Sequence, residues 1–128
     1  MTQVAISGRN ASLDAVNALI NSGTVEIRTG TAAAVDSTPT GTVLAIFTMG
    51  AAAFSAAASG SSSAILPAAV TATAAGTAGH YVVKDSGGNA ERNGTAGTTA
   101  TDMILNNTTF AVSDAVEITS WVFTQPGS

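Results

Sequence analysis

From Thr24 onward the large apolar residues recur mainly with a period of two, in short runs cut by Gly, Pro and Asn. That period places successive side chains on opposite faces of an extended backbone and commits most of the chain to strands. In residues 24–28, Val25 and Ile27 point one way while Thr24, Glu26 and Arg28 point the other, which predicts a strand with one wet face. Residues 42–49, TVLAIFTM, are apolar on both faces and suit a strand in the middle of a sandwich. Met103-Ile104-Leu105 and residues 110–112 read as short strands. In the last strand, residues 115–124, Val116, Ile118 and Val122 share one face and Trp121 and Phe123 the other, and Pro126 ends it.

Bulk is scarce. Of 58 hydrophobic residues among 128, 26 are alanine, which leaves 32 larger side chains for one small core. The expected fold is therefore mostly β, built from closely spaced strands, with a single domain over residues 12–128.

Residues 1–11 read as an extended N-terminal arm, with Val4 and Ile6 alternating with Gln3 and Ser7. One short helix follows over residues 12–20: Ser12 can cap its first amides, Asp14 suits the positive end of its dipole, and Leu13, Val16, Leu19 and Ile20 share a face. Asn21-Ser22-Gly23 stops it. Residues 50–80 are ambiguous, since AAAFSAAA has high helix propensity. The bracketing Gly50 and Gly60, the serines that follow, Pro67 and the alternation of residues 70–73 favour irregular or extended backbone. GHYVVKDSGGNAERNG, residues 79–94, reads as a hairpin turning at Ser86-Gly87-Gly88-Asn89. Lys84 then faces Glu91, and one of the two glycines takes positive φ.

Charged residues make up 9% of the chain, with a net charge of −4. A protein this poor in charge is expected to hide surface in an assembly. Four cations are too few for a nucleic-acid partner or an anionic membrane, and no apolar run is long enough to span a bilayer. MTQVAISGRNAS lacks the basic start and apolar core of an ordinary signal peptide. Without cysteine there is no thiol chemistry or zinc-cysteine site, and the eight acids are scattered singly, so neither metal nor other cofactor is expected. His80 is the one candidate imidazole base, but no nucleophile elbow accompanies it, and a lone histidine at a strand start reads as a surface or edge residue. The chain is accordingly read as not an enzyme.

GTAGHYVVKDSGGNAERNGTAGTTATDMILNN, followed by TTFAVSDAVEITSWVFTQP, resembles small virion-associated proteins of tailed bacteriophages. The shared pattern is a Gly-Thr-Ala lead at residues 76–78, an aromatic strand at Tyr81, a Lys-Asp-Ser-Gly turn at 84–87, a glycine-rich loop at 94–98, Asp-x-x-Leu-Asn at 102–106 and a closing strand at 118–124. The earlier TVEIRTGTAAAVDSTPTGTVLAIFTM is similar to the group's N-terminal half, and His80 stands where a large aromatic is expected. The resemblance implies an all-β fold, a β-sandwich of jelly-roll type, and a capsid decoration or cement protein, a homotrimer seated on the outer face of a major capsid protein shell. Val4, Ile6 and Arg9 in the arm, with His80 and Tyr81, are the candidate interface residues. A tail-fibre, collar or other attachment component, and an exported adhesin or pilin-like subunit, are the alternatives.

Overall fold

In the computed structural model, residues 5–124 are described. The described residues form one helix, α1 (Ile6–Leu19), and ten strands: β1 (Thr24–Thr29), β2 (Val43–Thr48), β3 (Ser61–Ser63), β4 (Val70–Thr71), β5 (Gly76–Lys84), β6 (Ala90–Gly97), β7 (Met103–Leu105), β8 (Thr109–Phe110), β9 (Ala115–Val116) and β10 (Ile118–Thr124). The main sheet runs β2-β1-β5-β6-β7-β10-β3, with β8 also on β5, and β4 pairs separately with β9. Only the β6–β7 pair is parallel among the described strands. The fold is all-β with one short N-terminal helix, and the pairing draws a single curled path and a two-stranded sheet, without itself tracing a jelly roll.

The curl is what makes a core. β5 and β10 lie three strand spacings apart along the path, roughly 14 Å in a flat sheet. Yet the rings of Tyr81 on β5 and Trp121 on β10 approach to 5.1 Å in an edge contact. Phe54 and Phe123 join them at 4.9 and 5.3 Å from Trp121. Val25, Ile27, Phe47 and Val83 fill the space beneath β1, β2 and β5. A few large rings thus compensate for the many alanines.

The helix departs from expectation. It starts at Ile6, with Ala5 as an N-cap that offers no side-chain hydrogen bond, so residues 6–11 are helical and not part of an extended arm; Val4 lies outside the described residues. Ser12 is an interior residue. Tertiary bonds outweigh its capping preference, because α1 is held by a polar stripe. Asn10 Oδ1 accepts from Gly60 N, Asp14 Oδ1 from Ala57 N, and Asn21 Oδ1, just past the helix, from Ala53 N, each at 2.9 Å. Asn17, buried between them, donates to Ser62 Oγ at 3.0 Å. Leu13 and Ile20 are buried alongside, whereas Leu19 is exposed. At the stop, Ser22 and not Gly23 takes the left-handed conformation, with φ 59°.

These bonds also explain residues 50–58. The segment stays extended, as read from its punctuation, because its amides are taken by α1 side chains and by Ser61 and Ser63. Alanine propensity is worth less than those contacts.

Three facings differ from simple alternation. Ile46 stands out of the supposedly doubly covered β2. On β10 a register shift between Ile118 and Ser120 lets Ile118 and Trp121 both face inward, which turns Val122 to solvent. The hairpin turns at residues 86–89 with Gly88 at φ 87°, as expected, but a shift between Val83 and Lys84 sets Lys84 opposite Ala90 and leaves Glu91 out of the ladder.

Candidate functional site

The candidate interface residues do not form one surface. Ile6 is exposed at the start of α1, and Arg9, half-buried, lies over Gly60 with its Nε unpartnered. His80 and Tyr81 are neighbours on β5 and point to opposite faces of the sheet. Tyr81 is in the core against Trp121, where burial pushes its phenol up to about 12. His80 is 1% exposed and not a surface or edge residue. Its burial comes from the loop at residues 30–41, which folds over the outer face of β5. The ring Nδ1 meets the Gly30 carbonyl at 2.9 Å, and Asn93 Nδ2 ties Ala33 O down at 2.7 Å. A carbonyl can only accept, so Nδ1 carries a proton, and Nε2 is the ring's other nitrogen. That Nε2 is shut away from solvent with no hydrogen-bond partner.

Beside this loop is a cleft of ≈ 550 Å³, lined by Gly30, Thr31, Thr77, Gly79, Thr95 and Asp102 among others. It opens where β5 changes partner: His80 pairs with Thr95 on β6, while Thr77 pairs with Thr109 on β8. Gly79 sits at the change-over, and a Cβ there would collide with the Gly30 carbonyl, so only glycine lets the loop approach. Asp102 is engaged on the rim, its Oδ2 accepting from Thr95 N at 3.0 Å and from Thr95 Oγ1 at 3.2 Å. The cleft thus offers hydroxyls, one carboxylate and small apolar walls. His80 Nε2 is enclosed, and Asp102 is spent on holding β6 to the start of β7.

The other charged centre lies on the same outer face. Glu26 accepts from Arg28 Nε at 2.9 Å and Nη2 at 2.7 Å, and from Lys84 Nζ at 3.1 Å. Burial works to raise the Glu26 pKa, but the hydrogen bonds and charges of Arg28 and Lys84 outweigh it and hold the carboxyl below its ordinary value. Lys84 therefore pairs across β1 with Glu26, and not across the hairpin with Glu91. In the turn, Asp85 accepts from the amides of Asn89 and Gly87, which lowers its pKa, whereas the hydrogen bond that Glu91 shares with Asp85 raises that of Glu91. Glu26 was missed because strict alternation puts it on a wet face. The available signal was its position between two apolar residues with a cation two places on.

A further cation is half-buried on the inner side. Arg92 stacks 3.3 Å above the Phe123 ring and donates to Asn17 Oδ1 at 3.2 Å. Burial lowers its pKa to about 10. Through Asn17 and Ser62 it links β6, α1 and β3. Among the described residues, no three His, Asp or Glu side chains gather in a way that could hold a metal ion, and no helix is long and apolar enough to cross a membrane. Compared with protein-family models, with curated proteins and with solved structures, the chain matches none.

Proposed function

We propose that this chain is a structural component of a phage virion, a capsid decoration protein that binds the outer face of the major capsid protein shell as a homotrimer and stabilises it without catalysis. The observation that carries the structural part of this reading is the character of the exposed surface. Ile6, Leu19, Ile46, Ile65, Leu66, Val112 and Val122 all stand open to solvent on a chain with twelve charged residues. β7, β10 and β3, which form one end of the main sheet, carry no charge at all. Such a surface favours close contact with other protein over free diffusion. The virion part rests on the sequence resemblance over residues 76–124. Two groups of the cleft support the non-catalytic part: Asp102 is bonded to Thr95, and His80 Nε2 is shut away from solvent.

Quantitative mass spectrometry of purified phage particles tests this reading. Near-stoichiometric amounts relative to the major capsid protein are expected. A few copies per particle would select the tail-fibre or collar alternative, and absence from particles with presence on the cell surface would select the adhesin or pilin-like alternative.

A further inference from the structure

The two ends of the main sheet are finished differently. At the β3 end, Ser55 N donates to Ser63 O at 2.9 Å and Ala58 bridges Ser61, so residues 54–58 stop that edge. At the other end, β2 is open. Met49 N donates to Gly23 O at 2.9 Å, which makes Thr24 and Thr48 a pair of the non-hydrogen-bonded kind, and Glu26 with Ile46, two residues on, is another. Ile46 and Thr48 therefore turn their N–H and C=O groups away from β1. On that side Thr73 N reaches Leu44 O at 2.8 Å, and among the described residues no strand pairs with β2 there. Both residues are solvent-exposed, Ile46 at 49%. The strand, VLAIFT, has no charge, proline or glycine, so it lacks the usual devices that blunt a free edge.

We propose that the β2 edge is the docking surface for a second copy of this chain, paired antiparallel about a two-fold axis that passes between Ile46 and Thr48. With Phe47 on the axis, Ile46 meets the partner's Thr48 and Thr48 meets the partner's Ile46, and four N–H···O bonds satisfy every open group on both edges. Ile46 is covered in the process. A two-fold axis brings like residues together, and an uncharged strand suits that, because no like charges meet. The nearest charge, Glu26, is already neutralised by Arg28 and Lys84. A charged foreign strand would find no counter-charge on this edge. Since the β3 edge is stopped, head-to-tail pairing of β2 with β3 is closed off, which leaves the β2 edge to meet itself. This contact does not depend on the virion reading, and a three-fold decoration protein would build its trimer through other surfaces.

Analytical ultracentrifugation of the full chain over a concentration series tests it. The expected species is a dimer of twice the 12.5 kDa chain mass, or, where the trimer contact of the virion reading forms as well, a hexamer built from such pairs. Thr48→Pro removes an outward N–H from each copy while sparing the ladder to β1, and Ile46→Lys sets two ammonium groups diagonally across the axis. Each change should weaken dimerisation by about ten-fold or more. Val122→Lys, at the other end of the sheet, should leave the dimer intact. Circular dichroism verifies folding, and if Thr48→Pro fails to fold, Ile46→Lys carries the test. A wild-type monomer, or a dimer or hexamer unchanged by Ile46→Lys, overturns the proposal, and a trimer that gives no hexamer overturns it while leaving the virion reading standing.

Discussion

The curled sheet and the helix it carries are held by opposite means. Around Trp121 the contacts are rings and aliphatic side chains, with Phe54, Tyr81 and Phe123 meeting it edge-on or nearly so. Between α1 and residues 53–62 the contacts are carboxamide and carboxylate side chains bonding backbone amides and a serine. The first kind of contact is non-directional and grows with area removed from water. The second is directional, and each bond is worth only about 0.5–1.5 kcal/mol net. In a chain with few large residues, the bulk is concentrated in the sheet and the helix is attached by geometry.

The most severe way to break the comparison is on the apolar side. Trp121→Ala should cost about 3–5 kcal/mol and lower the cooperative urea midpoint of the whole domain, followed by fluorescence of Tyr81 or by circular dichroism. An effect below about 1 kcal/mol would mean that the ring cluster is not the centre of the fold.

On the polar side, Asn17→Ala should cost about 1–3 kcal/mol, because it leaves both Ser62 and the half-buried Arg92 guanidinium short of a partner. Asp14→Ala, at an exposed bond, should cost about 0.5–1.5 kcal/mol. Hydrogen exchange sharpens the contrast. Amides of α1 and of residues 53–62 should exchange by local opening well before those of β5, and equal protection in both regions would show that helix and sheet unfold as one unit.

Acid probes the ionic cluster on the outer sheet face. Glu26 has a folded pKa below its ordinary 4.5, so its contribution to stability is fully present above about pH 4.5 and is lost as pH falls through the folded value. Glu26→Gln should flatten the stability-versus-pH curve in that acid window, and an unchanged acid limb would show that other carboxylates govern it. The smallest effect is expected at Glu91: Glu91→Ala should leave the urea midpoint unchanged, since Lys84 is bonded to Glu26 instead.

Reading the residues in order recovered much of the fold but little of the candidate site. β1, β2, β5 and β10 were legible from period-two alternation, and the turn at residues 86–89 from its two glycines. The cleft was not legible, because it forms where β5 changes partner from β6 to β8, residues far apart in the chain. The enclosure of His80 depends on a loop that starts fifty residues earlier. Nothing in its immediate neighbours signals that cover.

What the sequence determined alone is what short-range sterics and composition decide: a mostly β chain, a short helix ending before Gly23, and a core limited by the supply of large side chains. Tertiary structure decided where α1 begins, which face Val122 takes, which acid Lys84 meets and which sheet edge stays open. The reason is one of magnitude and range. A cap or a propensity difference is worth about 1 kcal/mol or less, and bonds from Asn10 to Gly60 or from Lys84 to Glu26 match it from across the chain. A one-residue shift in register, as in β10 at Ile118–Ser120, costs little locally yet turns every later side chain to the other face.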